Sequence, residues 1–515
     1  MKLQKRKLTK RWRTGVSKEV HGDNYRKVVV PFFVLGGEKL AEIEKVIALL
    51  PDDGLLGRRK ILTDKKEVTE QNVVQVISNA MSKHNENCRE INYLYDYYRG
   101  KQDIRCKQKQ VRPEINNKVV VNIANEIVTF KTAYFLSGAI QYVSESGEQE
   151  VSEQVKRLNE FMRAEDKESK DKEICDWIHI CGVADRLVLP DPEGEENECP
   201  FLIHTLDPRE AFVIYYSGIG QKPLAGVILQ KDEEGRPIIC VYTKNRYYEI
   251  QNDKVAKSES HALGGIPLIE YVNNNARIGA FEIVLSLLNH INTLESNRVD
   301  NVADFVNAYD VFQNCEISDE TYKKLAQGGQ AIEIKNSTPG MESKVYRIYS
   351  ELSQSGVQTA IDDLTDKYIL IVGMPNRNGG SSTSDTGVAV TFRDGWEDAD
   401  SRANDTEKVF DRSEKEFTKI ALNICAATTD INLRMSQIKI EHPRNNLSNM
   451  QSRMQILCEG LNNEKIHPLI PWILAGIPNA QERYSMSMKH YEEEQEKMQR
   501  GLEDETDEES VPAVG

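Results

Sequence analysis

The sequence lacks any hydrophobic run long enough to cross a membrane. Its most apolar segment, residues 28–35, is predicted to be a short strand. The segment is interrupted by Pro31 and falls far short of the roughly 20 apolar residues that a bilayer-spanning helix requires. The basic start of the chain is not followed by the apolar stretch of a secretory signal. We therefore expect a soluble chain that is made inside a cell and has no membrane partner.

Cysteine pairs and catalytic motifs are absent as well. The nine cysteines form no Cys-x-x-Cys motif and no regular spacing, which is typical of reduced thiols in the cytosol. There is no Gly-x-x-x-x-Gly-Lys-Ser/Thr phosphate loop, no Gly-x-Ser-x-Gly turn and no His-Glu-x-x-His zinc motif. No two histidines lie three or four residues apart, as two metal ligands on one helix face would. The sequence thus predicts no catalytic residue, no metal centre and no cofactor, and favours a structural protein over an enzyme.

Positive charge is scarce overall, because 66 lysines and arginines face 81 acids and the net charge is −15. This balance argues against a simple duplex-binding protein, which presents a basic face. The charge is uneven: residues 2–13 hold seven bases and no acid, whereas residues 491–510 hold ten acids and two bases. We interpret residues 1–27 as a basic flexible arm, either solvated or bound to nucleic acid or protein, and residues 491–515 as an acidic disordered tail.

The first half of the chain changes from helical periodicity to short β runs. Helices are predicted within residues 64–100, 116–138 and 151–184. From residue 201 onward, short apolar runs separated by turn residues indicate an antiparallel meander. Its strands are predicted at residues 201–206, 211–216, 224–230, 238–243 and 247–250. The combination is a helix-rich α+β fold.

The second half of the sequence is mainly helical. Helices are predicted at residues 278–297, 357–371, 388–427 and 448–499. Short strands are predicted between residues 310 and 348, such as residues 330–334 and 344–348. The first of these helices is apolar on most of its circumference, so we expect it to be packed on several sides. The third is unusually long, and Gly395 is expected to kink it. A polar, glycine-rich loop at residues 376–387 connects the second helix to the third.

The helix at residues 357–371 carries Asp362, Asp363 and Asp366 on its polar face. Three carboxylates could hold a divalent cation, but a hydrated helix surface is the more ordinary interpretation. In the following loop, Gly379-Gly380-Ser381 could cradle an anion through its backbone amides, although such loops are common. Neither feature by itself assigns a function.

Several stretches resemble, in their order and spacing, one family of viral proteins. They are Asn-Ile-Ala-Asn-Glu-Ile-Val at 122–128 with Lys131 and residues 134–138, Leu-Asp-Pro-Arg-Glu-Ala-Phe-Val-Ile at 206–214, Gly-Ile-Pro-Leu-Ile-Glu-Tyr-Val-Asn-Asn at 265–274 leading to residues 294–301, and Thr-Gly-Val-Ala-Val at 386–390. The family is that of the phage portal proteins typical of long-tailed phages of Gram-positive bacteria. The resemblance covers about residues 90–490.

The resemblance implies a portal fold that assembles as a cyclic ring of about 12 copies. Its parts would be a wing at 28–275, two stem helices at 276–297 and 351–374, a clip at 298–350, a tunnel loop at 375–387, a long wing helix and return at 388–447, and a crown at 448–490. The loop residues that meet DNA would be Asn376, Arg377, Asn378, Ser381 and Ser382. The three aspartates would be channel-facing, although the sequence leaves open whether they point to the channel or outward.

By the same resemblance, the ring would sit at one vertex of a capsid, in a virion assembled in the bacterial cytoplasm. It would conduct double-stranded DNA during packaging and ejection. Its partners would be the terminase large subunit and a head-tail connector at the clip, and the major capsid and scaffold proteins at the wing. Two alternatives stay open: another virion ring such as a connector, which the chain length disfavours, and a metal-dependent nucleic-acid enzyme built on dispersed carboxylates.

Overall fold

The computed structural model describes residues 57–110, 113–146, 148–194, 198–306, 309–316, 318–320, 323, 335–336, 340–348, 354–376, 395–444, 447–463, 465–475, 477 and 480–508. The predicted basic arm and the predicted strand at residues 28–35 lie outside the described residues. Residues 377–394, which include most of the predicted loop and the predicted start of the long helix, also lie outside them.

Helices dominate the amino-terminal part of the described chain. They are α1 (Val73–Tyr98), α2 (Ile123–Phe135), α3 (Gln149–Ala164) and α4 (Lys167–Cys181). The sequence predicts one continuous helix over residues 151–184, which is wrong. Asp166 has a left-handed φ of 49° between α3 and α4, a conformation that interrupts a right-handed helix. The break lets apolar faces of both helices, with Leu158 and Ile174 fully buried, enter one core.

A six-stranded sheet has the strand order β1-β5-β6-β7-β8-β9. Its strands are β1 (Ile61–Thr63), β5 (Ala211–Tyr216), β6 (Pro223–Lys231), β7 (Pro237–Tyr242), β8 (Arg246–Gln251) and β9 (Lys254–Ser260). β5 to β9 form the antiparallel meander expected from the turn residues, and β1 adds to the edge in parallel with β5.

The strand predicted to open the meander belongs to a different sheet. β4 (Phe201–Leu206) pairs with β3 (Val183–Pro190), and β3 pairs with β10 (Leu268–Val272). The first six residues of β3 are buried, so their backbone groups need hydrogen-bonding partners on both edges of the strand. β4 and β10 supply them, and the prediction of a single meander from residue 201 is wrong at this strand.

A long helix, α7 (Trp396–Thr428), closes the main core over the three-stranded sheet. Its 33 residues give a length of about 50 Å. Phe410, Phe417 and Ile424 of this helix are buried in that core. Gly395 directly precedes α7 with a φ of 82°, a left-handed conformation that glycine tolerates. Gly395 therefore marks the beginning of the helix. The sequence prediction that Gly395 kinks this helix is wrong.

Charged side chains lie inside this core. Four of them, each at most 3% exposed, form one network: Lys167 and Asp171 of α4, Arg186 of β3 and Glu414 of α7. Tyr142 and Tyr271 each donate a hydroxyl hydrogen bond to Glu414, at 2.5 and 2.7 Å. Because a buried charge is tolerated only when it is paired, the network fixes α7 against α4 and β3.

The two helices expected as stem helices are α5 (Leu285–Val306) and α6 (Gln354–Val372), which pack together. The first was predicted at residues 278–297, so it begins seven residues later and ends nine residues later. Glu282 accepts hydrogen bonds from the Arg58 guanidinium at 2.6 Å and from the Gly279 amide at 2.5 Å. These contacts hold the chain before α5 in a turn, which delays the helix.

Short strands join α5 to α6. β11 (Tyr309–Gln313) pairs with β14 (Lys344–Ile348), and β12 (Cys315–Glu316) pairs with β13 (Lys335–Asn336). The predicted strand at residues 344–348 is confirmed, whereas the one predicted at residues 330–334 lies outside the described residues. After α7, β15 (Ile438–Glu441) returns to pair with β2 (Gln141–Ser144), a contact that the sequence did not predict.

The carboxyl-terminal region is helical. Its helices are α8 (Leu447–Leu461), α9 (Leu469–Leu474) and α10 (Ala480–Glu508). The disordered tail predicted from residue 491 is wrong for residues 491–508, because α10 continues through them. This segment is rich in glutamate, which favours helix, and Lys497 pairs with Glu494 at 3.2 Å one turn earlier.

The sequence predicts reduced cysteines and no membrane-spanning segment. All nine cysteines lie in described ranges, and every one of them is a free thiol. Among the helices of the described residues, none is long and apolar enough to span a membrane.

Candidate functional site

The helix α5 carries a ladder of buried polar side chains on one face. The ladder consists of Asn292, Ser296 and Asp300, spaced four residues apart and at most 2% exposed. Their side chains accept hydrogen bonds from the backbone amides of Val121, Val119 and Asn117 at 2.8, 3.0 and 2.6 Å. Four helical residues and two extended residues both advance about 6 Å, so the two periodicities match. α5 therefore holds the extended segment before α2 much as a neighbouring strand would.

Asp300 also binds two lysines from the segment after α1. Its Oδ2 lies 2.9 Å from the Nζ of Lys107 and 3.7 Å from that of Lys109. Burial opposes ionisation of this carboxyl, but the Lys107 ammonium and the hydrogen bonds from Asn117 outweigh it and hold its pKa below the usual value. Asp300 is thus an anionic anchor that ties α5 to a basic segment of the chain.

The helix α6 presents an apolar face to the core and a polar face to the surface. Ile361, Tyr368 and Val372 are buried, and the last two share a cluster with residues of α5. At the polar border, the Arg298 guanidinium of α5 donates to the Gln358 side chain of α6 at 2.8 Å. The pairing of α5 with α6 therefore rests on apolar packing with a polar link at its edge.

The three aspartates of α6 are all exposed. Asp362 accepts a hydrogen bond from Gln358 at 2.7 Å, and Asp366 accepts one from Asn376 at 3.3 Å. Asp363 forms an ion pair with Lys367 at 2.5 Å, which offsets its charge. In the described residues these carboxylates do not gather into a group with metal-ligand spacing. The hydrated helix surface is the interpretation that the geometry favours over a cation site.

The predicted tunnel loop is described only at its beginning. Asn376 lies at the end of the α6 region and reaches Asp366. Arg377, Asn378, Ser381 and Ser382 lie outside the described residues. The structure therefore joins one predicted loop residue to one predicted channel-facing acid.

A family model described as phage portal protein, SPP1 Gp6-like, matches residues 78–507 of the chain. The chain belongs to this family. The match runs from within α1 into the last turn of α10 and so includes α5, α6 and α7, and the resemblance inferred from the sequence motifs is confirmed. The protein is therefore a structural component of the virion that forms the portal ring at one vertex of the capsid. The helix-rich α+β fold predicted from the sequence is confirmed.

Solved structures similar to this portal protein come from gene transfer agent (GTA) particles. They are chains from the neck of an empty particle computed with C6 symmetry, from the virion of a native particle, and from the neck of a native particle computed with C12 symmetry. The TM-scores are 0.39, 0.38 and 0.38 at 10%, 10% and 11% identity, over 69% of this chain and 90%, 89% and 89% of those chains. These scores are too low to support an argument about function. No curated protein matches the chain.

The paired helices α5 and α6 leave apolar side chains in solvent. Val302 of α5 is 55% exposed, and Leu370 and Ile371 of α6 are 71% and 41% exposed. An exposed apolar side chain is common on its own, but a group on two adjacent helices marks a surface suited to a protein contact. In a ring, each subunit has a neighbour on either side that can cover such residues.

One cluster of the portal protein does have metal-ligand spacing: Glu407 and Asp411 of α7 with His442 after β15. The His442 imidazole Nε2 already lies 2.7 Å from Asp411, and Arg444 forms an ion pair with Glu407. A positive guanidinium at the second carboxylate opposes a cation. We interpret the cluster as a clamp that fixes the returning strand β15 on α7.

Sequence reasoning missed the polar ladder of α5. Its signal was present: Asn292, Ser296 and Asp300 recur every four residues and continue the line of Leu288 along one side of the helix. A polar series that continues an apolar line at helical spacing indicates buried hydrogen-bonding partners. Which segment supplies those partners could not be derived, because residues 117–121 lie more than 170 positions away in the sequence.

Replacing Asn292 with leucine should lower the free energy of unfolding by about 2–4 kcal/mol. The change removes the acceptor of the Val121 amide and the donor to Gln102, whose side chain is 2.5 Å away and also buried. Denaturant unfolding followed by circular dichroism measures the effect. Thr293→Leu, at the neighbouring exposed position, is the matched control and should change the value little. Equal stabilities for the two variants would contradict the role of the ladder.

Proposed function

We propose that the ring of this portal protein is a passive channel for double-stranded DNA, through which the genome is packaged and ejected. The observation that carries the proposal is the acidic, solvent-exposed face of α6, which suits a channel wall better than a DNA-binding site. Tight DNA binding gains affinity when lysines and arginines replace the counterions of phosphates. An acidic wall gives no such gain, so DNA stays hydrated and can slide.

The two sides of the α6 surface differ in charge. Asp362 and Asp366 lie one turn apart and accept hydrogen bonds from uncharged side chains. Asp363 is neutralised by Lys367, and Ile371 continues that side of the helix with an exposed apolar side chain. We assign the stripe of Asp362 and Asp366 to the channel and the stripe through Asp363 to contact with a neighbouring subunit.

The arrangement of acids on α6 also indicates where the proposed tunnel loop begins. Because Asn376 binds Asp366, the loop starts at the acidic stripe. Arg377, Asn378, Ser381 and Ser382 would contact the DNA backbone from there through one cation and several hydrogen-bonding groups. A single arginine among acids and amides gives a weak contact that sliding DNA can break.

The remaining parts of the proposal rest on membership of the portal family. About 12 copies form the ring. The segment between α5 and α6 docks the terminase large subunit during packaging and then a head-tail connector. The surface formed by the two sheets and their helices meets the major capsid and scaffold proteins. The protein is not an enzyme, and ATP hydrolysis belongs to the motor that docks on it.

The channel assignment predicts that a variant with Asp362→Lys and Asp366→Lys keeps its ring but packages DNA poorly. Lysines would bind passing phosphates and release counterions, so we expect packaged DNA to fall at least about tenfold. The measurement is DNase-protected DNA per particle in a packaging reaction, beside mass photometry and negative-stain microscopy of the ring.

Two further variants separate the explanations. Asp362→Asn with Asp366→Asn removes charge without adding a cation and should package nearly as well as the natural protein. Asp363→Lys places a second cation beside Lys367 and should weaken ring assembly more than packaging. Normal packaging by the double-lysine variant would refute the channel assignment. A small closed oligomer without a channel, or metal-dependent cleavage of DNA by the purified protein, would refute the proposed function itself.

A further inference from the structure

The carboxyl-terminal helix α10 carries an exposed apolar seam. Met488, Tyr491 and Met498 recur at spacings of three and seven residues, which places them along one side of the helix. They are 36%, 59% and 63% exposed. The amino-terminal end of α10 packs on α9, and there the Tyr484 ring lies 6.1 Å from the His467 ring. Beyond that end, the seam is open to solvent in the part of the chain that the structure describes.

Acidic side chains flank the seam. Glu492 and Glu494 follow Tyr491 on either side of it, and Glu496 lies next to Glu492 one turn further along. All three are exposed, and Glu494 forms an ion pair with Lys497 at 3.2 Å. A partner for this surface must therefore combine apolar side chains with positive charge.

A second copy of α10 does not meet that requirement. Residues 491–510 carry ten acids and two bases, a net charge of −8 in every copy. Bringing such helices together around a ring concentrates like charge, and the repulsion opposes contact between their seams. Nucleic acid is excluded as a partner of this surface for the same reason.

The same chain contains a segment with the required chemistry. Residues 2–13 carry seven bases and no acid, and they include Leu8 and Trp12, four residues apart. In a helix, that spacing would place a leucine and an aromatic ring on one face. Forty-three residues lie between Arg13 and Gly57, where the described chain begins, and such a length reaches up to about 150 Å when extended.

We propose that residues 2–13 dock on α10, in the same subunit or in its neighbour, with Leu8 and Trp12 on the seam and the bases against the flanking glutamates. The contact neutralises the acidic helices and so removes a repulsion that works against the ring. It accounts for the opposite charge of the two ends of the chain, and it makes the carboxyl-terminal part of the ring sensitive to salt.

Zero-length carbodiimide cross-linking tests the contact, because it joins a lysine to a carboxylate only when the two touch. With the full-length assembled protein in about 50 mM salt, we expect cross-links from Lys5, Lys7 and Lys10 to glutamates of α10. In about 500 mM salt their yield should fall roughly tenfold, because exposed charges are screened beyond a few ångströms. Trypsin cleavage within residues 2–13 should accelerate over the same change in salt.

A charge swap separates docking from general charge effects. Glu492→Lys, Glu494→Lys and Glu496→Lys together should abolish the cross-links, and adding Lys5→Glu, Lys7→Glu and Lys10→Glu should restore them with the direction reversed. Asp405→Lys, which changes an acid that is 84% exposed on α7, is the control and should leave them intact. Failure of the swap to restore cross-links, trypsin cleavage at the same rate at both salt concentrations, or cross-linking of residues 2–13 to DNA in place of α10 would each overturn the inference.

Discussion

Replacing Glu414 with glutamine should lower the free energy of unfolding by about 3–5 kcal/mol, the typical result of removing one partner from a buried ion pair. Glu414 is fully buried and lies 2.9 Å from Lys167 and 3.5 Å from Arg186. Burial alone would raise the pKa of this carboxyl, but the two cations and two tyrosine hydroxyls lower it to about 2. It is therefore ionised at neutral pH.

Glutamine keeps the shape of the side chain but removes its charge. Lys167 and Arg186 then share only Asp171, which lies 2.6 Å from each of them. One buried positive charge of the network is then left without a partner carboxylate. The cost arises in the folded state, so the rate of unfolding should rise.

Denaturant unfolding at pH 7, at one fixed protein concentration, measures the loss. The matched control is Glu416→Gln, two residues along the same helix, where the side chain is 59% exposed and pairs with Lys419. An exposed pair of this kind contributes little, so the control should behave like the natural protein. A Glu414→Gln variant as stable as the control would show that the network is not needed to hold α7.

Local sequence signals predicted the elements whose partners are near in the chain. The strands from Ala211–Tyr216 to Arg246–Gln251 were anticipated within a residue or two, because each pairs with the next across a short turn. α6 was anticipated because its buried residues recur at helical spacing and the exposed aspartates fall between them. In both cases the pattern and the packing act over fewer than about 20 residues.

Contacts between distant segments could not be predicted. β2 pairs with β15 across almost 300 residues, and neither strand has a sequence feature that names the other. The buried network unites Lys167, Arg186 and Glu414, each of which looks like a surface charge in the sequence. For the candidate site, the sequence located the acids of α6 but not the pairing of Asp363 with Lys367, which divides them into two stripes. A charge pattern specifies a surface only after folding has fixed its neighbours.

Lowering the pH from 7 to 5 should destabilise the protein by about 4 kcal/mol through two buried histidines. Burial lowers the pKa of His84 to about 4 and that of His179 to about 3. The Lys131 ammonium adds to the effect at His179, which shares a hydrogen bond with Thr132 at 3.0 Å. Both imidazoles therefore stay neutral in the folded protein at pH 5.

The sign follows from proton uptake. In the unfolded chain both histidines bind a proton as the pH falls below about 6.5, while the folded protein does not, so protons favour unfolding. The stability contributed by the two neutral histidines is fully present above pH 6.5 and is lost as the pH falls toward 4, at about 1.4 kcal/mol per pH unit for each histidine.

Urea unfolding at pH 7, 6 and 5 measures this slope. His84→Gln and His179→Gln, each compared with itself across the pH series, should each remove about half of it, whereas His490→Gln, at an exposed position, should leave it unchanged. A slope that survives the double substitution would assign the acid sensitivity to other groups.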